Sequence, residues 1–436
     1  MIFSCFRIAL RRVAVAGCAM LLAGCAYSLV SGNTINQAKV DQVKEGIQKI
    51  RQLSFTKPVP LVIEDRNEAE DQMEADLARD YSDDQLRADG LAGAMLGLYP
   101  AGMDLKAESL KLLRNQVAGF YDPRSQQMVM VSGAAELGFL FSAVEFVAQR
   151  DAAGEMVLAH ELTHALQDQH FDLNKKLDEV KNNDDRGLAF KCVAEGDATI
   201  AGLAYVAGTM DAATLDNLLA HLGDISGAFA AEAPGTPEGL SVPLIFQYSD
   251  GVRFVAEAYR RGGWKAVDAL YGNPPLSTQQ IIHPADYFDH PKPPVDVEVH
   301  GYDHAMASWK KVDDDTYGEL LLRVILQRNL GKDAREVALA QRWSGDQMII
   351  LQSGREISVI WMVAFADDAS ARKFAAAYAS ILDKLLGTAR HEIDYRNDAV
   401  LIVVGNGAQD METMAPAIWA QSKVSGHVEA ESEASP

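Results

Sequence analysis

Gly154-Glu155-Met156-Val157-Leu158-Ala159-His160-Glu161-Leu162-Thr163-His164-Ala165-Leu166-Gln167-Asp168-Gln169-His170 is the stretch on which the reading of this chain turns. His160 and His164 are four residues apart, and an α-helix stacks such a pair on one face, so both imidazoles can reach a single metal ion. Glu161, next to the first histidine, can then reach a water on that ion and act as a base. The other residues from Met156 to Leu166 are uncharged, the pattern of a buried helix that turns polar groups only toward a cleft. An ordinary core helix is the alternative, with its histidines satisfied by hydrogen bonds alone.

A catalytic zinc usually takes three protein ligands and keeps one position for water, so the pair needs a third. Two residues compete for that place. His170 would serve if the chain left the helix soon after His164, but Gln167 stands where a helix-breaking glycine is needed, and glutamine is a good helix former. In a continuing helix His170 stands about 240° around and about 9 Å along from His164, too far to share the ion. Glu195 belongs to a second helical run starting near Leu188, whose alanines and glycines suit close packing against the first. It is a carboxylate on an otherwise apolar face, and it is the favoured third ligand. Asp168 and Asp197 are candidate acceptors for the ligand imidazoles.

Working outward, 436 residues with 48% hydrophobic content imply packed cores and two domains more readily than one. Arg7, Arg11 and Arg12 precede the apolar run Val13 to Leu22, which is too short to span a bilayer and reads as a signal peptide over residues 1–24. Leu22-Ala23-Gly24-Cys25 resembles the bacterial lipobox, which implies cleavage before Cys25 and lipid on its thiol; the alternative is a plain secretory signal with an incidental cysteine. Ala26, by resemblance to lipoprotein sorting signals, implies the outer membrane facing the periplasm in a cell with two membranes. Cys5 and Cys18 would leave with the signal, so Cys192 remains as the free thiol and reads as a core residue. Losing three arginines takes the net charge from −21 to −24, which argues against nucleic acid and against electrostatic binding to anionic lipid.

Along the chain, Val40, Val43, Ile47 and Ile50 mark an amphipathic helix over Ile35 to Leu53, and one charged helix is expected from Glu64 to Asp89. After a helix at Lys106 to Gln116, Val117 to Val131 reads as a hairpin turning at Asp122-Pro123. Ser142 to Gln149 reads as helix, with Asp151 as an N-cap before the histidine helix. Pro234 to Pro243 reads as a loop, and Phe246 to Arg261 as a helix, with another beginning at Gly262-Gly263-Trp264. Ser277 and Gln280 form a capping box on a short helix ending at His283, and His290 to Pro294 is a linker. Beyond it, helices at Leu320 to Gln327, Ala369 to Leu386 and Asp410 to Trp419 alternate with strands at Gln347 to Leu351, Glu356 to Phe365, His391 to Tyr395 and Ala399 to Val404. Trp343 to Asp346 reads as a turn into the first of these strands.

Gly119-Phe120-Tyr121-Asp122-Pro123, the His160 to Gln169 run and Glu195-Gly196-Asp197-Ala198 together resemble the gluzincin-like zinc metallopeptidases of prokaryotes, over about residues 60 to 290. The resemblance implies Zn²⁺ held by His160, His164 and Glu195, with Glu161 as the base. One departure is Thr199, where the common gluzincin form has an aspartate. In zinc peptidases the strand before the histidine helix commonly forms a sheet edge to which an extended substrate adds; an ordinary core strand is the alternative. An oxyanion donor is also needed; His283 is the first candidate, Tyr248 the second and Tyr121 the third.

The expected fold is α+β: a mostly helical zincin-like domain with a small edge sheet, followed by a small α+β domain. The expected organisation is a signal at 1–24, a tether and helix at 25–55, the metallopeptidase domain at 56–295, an accessory domain at 296–422 and a disordered acidic tail at 423–436. The expected function is zinc-dependent hydrolysis of a peptide or protein substrate by an enzyme tethered to the membrane through lipid at Cys25. A non-catalytic envelope lipoprotein that uses the same scaffold to bind a partner is the rival. Glu161 beside both histidines favours the enzyme, since a structural zinc site needs no base.

Overall fold

A computed structural model of the chain describes residues 30–31, 34–114, 119–131, 152–181, 183–221, 235–387, 390–405 and 411–425. The expected signal peptide, Cys25, the helix at Ser142 to Gln149 with Asp151, and the tail beyond Ser425 lie outside the described residues. Among the described residues no helix is long and apolar enough to cross a membrane.

Helix α1 (Gln37–Arg51) starts at Asn36, whose side chain accepts the Lys39 amide, and it buries Val40, Val43 and Ile47 at helical spacing. Strand β1 (Leu61–Glu64) follows. The charged segment expected as one helix is two, α2 (Arg66–Asp80) and α3 (Asp83–Met95), because Ser82 caps the second by accepting the Gln85 amide. After α4 (Leu105–Arg114) come β2 (Gly119–Asp122) and β3 (Gln127–Val131), joined by a turn in which the Asp122 carboxylate accepts the amides of Arg124 and Ser125. Helices α5 (Ala152–Phe171), α6 (Leu173–Val180) and α7 (Asp184–Ala207) lead to α8 (Glu238–Gly272). The last of these begins inside the expected loop, with Pro237 at its start, where amides lack helical partners in any case. It leaves helical backbone angles at Gly262 and Gly263, where the sequence sets one helix apart from the next.

Short helices α9 (Thr278–Ile282) and α10 (Ala285–Phe288) precede β4 (Asp296–Glu298), β5 (Lys310–Asp315) and α11 (Gly318–Leu330). The chain continues through β6 (Trp343–Ser353), β7 (Glu356–Phe365), α12 (Asp368–Leu386), β8 (His391–Arg396), β9 (Ala399–Gly405), α13 (Met411–Gln421) and β10 (Lys423–Ser425). The class is α+β. Two compact units divide it: Met1–Asp71, Gln116–His170 and Ala198–Ala228 in the first, Gln72–Asn115, Phe171–Asp197 and Phe229–Pro436 in the second.

In the first unit β1 pairs parallel with β3, and β2 pairs antiparallel with β3, giving the order β1-β3-β2. This corrects the expectation for the sheet edge: β3, the nearer strand to α5 in sequence, is central, and β2 is at the edge.

In the second unit an antiparallel sheet of order β8-β9-β7-β6-β5 holds the core. Alternation divides β7 between two faces: Val359, Trp361, Val363 and Phe365 meet residues of α3, α11 and α12, while Ile360, Met362 and Ala364 meet Val295, Val297 and Val299 and Met414, Ala415 and Ile418 of α13. Those buried valines carry the second unit straight through the expected junction at 295/296, and the Val295 amide donates to the Ser344 carbonyl at 2.8 Å. Two further expectations are corrected. Trp343 to Asp346 is the bulged start of β6 rather than a turn, and Lys423–Ser425, assigned to the acidic tail, pairs antiparallel with β4.

Candidate metal centre

Helix α5 is unbroken to Phe171 and packs its apolar residues so completely that His160 is only 2% exposed. His160 Nε2 and His164 Nε2 face each other at 3.1 Å, with the two rings near perpendicular at 86°. Two nitrogens each about 2.05 Å from a tetrahedral ion stand about 3.3 Å apart, so the pair is spaced for one ion. His164 Nδ1 lies 2.9 Å from Gln167 Oε1. With an acceptor on Nδ1, the proton is assigned there and Nε2 presents its lone pair. Gln167 thus does more than prolong the helix: it is the acceptor for a ligand imidazole, a role the sequence reading gave to Asp168 or Asp197. Its i+3 spacing from His164 is the signal that could have found it.

Glu195 comes from α7. At Gly202 that helix approaches α5 so closely that a Cβ would lie 3.1 Å from the Met156 carbonyl oxygen and 3.4 Å from the His160 amide nitrogen. Glu195 precedes Gly202 by seven residues, two turns along the same stripe. Gly196 leaves room on another side for the Gly251 carbonyl of α8. Ligand atoms of His160, His164 and Glu195 all lie within 4.8 Å of one another, the one such group of three among the described residues. Two imidazoles and a carboxylate are a donor set that suits zinc with a position left for water. His170 is placed elsewhere, with Nε2 2.8 Å from the Ser54 carbonyl oxygen. Thr199 is buried, and among the described residues its hydroxyl meets no hydrogen-bond partner.

Glu161 is 9% exposed, and its Oε2 accepts the main-chain amide of Tyr121 at 2.9 Å. The Tyr121 hydroxyl donates to Asp168 Oδ2 at 2.9 Å, so Asp168 serves the tyrosine. Burial, and then the Asp168 charge, hold this phenol well above its usual range, which keeps it a donor and engages it away from the oxyanion role. Asp197 accepts the Tyr271 hydroxyl at 2.7 Å. His283 Nε2 stands 3.1 Å from both oxygens of the buried Glu319, and the hydrogen bond to Glu319 raises the imidazole pKa; Glu319 also pairs with Arg323. Tyr248 lies half-buried on α8, three residues before Gly251.

Residues 306–415 match the model of a domain of unknown function, DUF8575. No curated protein matches the chain. Among solved structures, a protein from Chloroflexus aurantiacus, described provisionally as a hydrolase with a novel fold, is similar at a TM-score of 0.36 and 14% identity, over 58% of this chain and 87% of that one.

Proposed function

We propose that the chain is a zinc-dependent peptide hydrolase, tethered to the bacterial envelope through lipid at Cys25. The observation that carries this reading is the convergence of His160, His164 and Glu195 within 4.8 Å, with Glu161 next to the first histidine in sequence. Zinc, when bound, supplies a Lewis acid that lowers the pKa of water toward about 7 and polarises a carbonyl.

The remaining steps belong to the chain. His160 and His164 offer imidazole nitrogens and Glu195 a carboxylate. Glu161 takes a proton from the attacking water and hands it to the leaving amine, so a single carboxylate acts first as base and then as acid. Strand β2, at its sheet edge, offers main-chain groups other than the Tyr121 amide to an extended peptide. Tyr248 is a proposed donor to the oxyanion, and His283, its Nε2 held by Glu319, is one through Nδ1. A purely structural zinc site would close its fourth position with protein and would need no neighbouring base, and three donors beside Glu161 fit the enzyme better.

Hydrolysis of a peptide library by the purified chain tests the reading. Glu161→Gln is expected to keep its zinc and lose about 10²- to 10⁴-fold in turnover. Unchanged turnover in that variant would refute the assigned base.

A further inference from the structure

We infer that Tyr121 is the positioning residue for Glu161, joining the proposed base to the edge strand at a fixed height along α5; the inference rests on the hydrolase reading above. Glu161 and Asp168 are seven residues apart, which puts them on one face of α5 about 10.5 Å apart along its axis. A single residue of β2 reaches both. The Tyr121 amide donates to Glu161 Oε2 at 2.9 Å, and the Tyr121 hydroxyl donates to Asp168 Oδ2 at 2.9 Å.

Strand register explains why that amide is available. Tyr121 pairs with Met128, and the Met128 amide donates to the Pro60 carbonyl at 2.9 Å, away from β2. The Tyr121–Met128 pair is therefore a non-hydrogen-bonded one, and the Tyr121 amide points out of the sheet edge. An outward edge amide ordinarily binds water. Here it binds the carboxylate, and a hydrogen bond from an amide to an ionised acceptor is among the stronger ones.

At the other end, Asp168 is buried and has a second donor, Gln126 Nε2, at 3.5 Å. The hydroxyl anchor thus sets where β2 sits along the helix, and the amide sets where the Glu161 carboxylate points. A displacement of the base by about 1 Å can cost about 10²-fold in rate, so both bonds matter to turnover.

Substitutions separate this role from plain packing. Tyr121→Phe, which removes only the hydroxyl, is expected to lower kcat about tenfold or more with KM within about twofold and zinc content unchanged. Asp168→Asn keeps a carbonyl acceptor and is expected to retain turnover, whereas Asp168→Ala should match Tyr121→Phe. The double variant Tyr121→Phe/Asp168→Ala should be no slower than either single one.

Wild-type kcat in Tyr121→Phe, or additive losses in the double variant, would overturn the inference. If these variants do not fold, hydrogen exchange on the full metal-free chain decides it. Glu161→Ala should speed exchange of the Tyr121 amide by about tenfold or more, and an unchanged rate would overturn the inference. If no peptide is cut by the unaltered chain, the hydrolase reading fails, while the exchange result still shows whether Tyr121 holds Glu161.

Discussion

Glu161 takes its hydrogen bond from a main-chain amide, and a main-chain donor carries no sequence signature, which is why the link to Tyr121 is invisible in the residues alone. The pairing of His164 with Gln167 is different, because i and i+3 on one helix could have been read. Buried acids give a further consequence at this scale. Burial, then the charges of Asp313 and Asp184, push the Asp89 carboxyl from 3.8 up to about 8, and burial takes Asp185 up to about 7. The folded state holds these protons more tightly than the unfolded one. Their stabilisation is thus complete below the unfolded value and disappears as pH rises through the folded one. Thermal unfolding should show a lower midpoint at about pH 8 than at about pH 5, and Asp89→Asn should narrow the difference. A difference as large in that variant as in the unaltered chain would contradict the assignment.

Elements with clean periodicity were readable, and those whose partners lie far away in sequence were not. The apolar runs of β7 and β9 and the stripe of α12 are recognisable because burial on two faces or one leaves a pattern. β5 has no such pattern: five of its six residues are Lys310, Lys311, Asp313, Asp314 and Asp315, types expected on a solvated edge, yet only the two lysines are exposed and the three aspartates are half-buried. Likewise, nothing near α3 announces that Ala88 and Ala92 pack in the core of the five-stranded sheet. Gly196 tests the packing of α7 on α8. In Gly196→Ala the new methyl meets the Gly251 carbonyl, so overpacking of about 1–3 kcal/mol should outweigh the helix-propensity gain of about 1 kcal/mol. Gly154→Ala, where nothing among the described residues lies within 4 Å of the added carbon, should be neutral or stabilising, and denaturant unfolding of the two variants checks both.

On the scale of the whole molecule, two of the three ligands of the candidate centre are local and the third is tertiary. His160 and His164 converge as soon as α5 forms, whereas Glu195 reaches them only when α7 has packed. The choice between Glu195 and His170 turned in the sequence on one residue, Gln167; in the structure His170 is bonded to the Ser54 carbonyl. Metal content of the purified chain, measured by mass spectrometry beside Glu195→Ala and His170→Ala variants that remain folded, tests the centre most directly. About one zinc per chain is predicted for the unaltered protein and for His170→Ala, with most of it lost in Glu195→Ala. Zinc retained in Glu195→Ala, or lost in His170→Ala alone, would contradict the account.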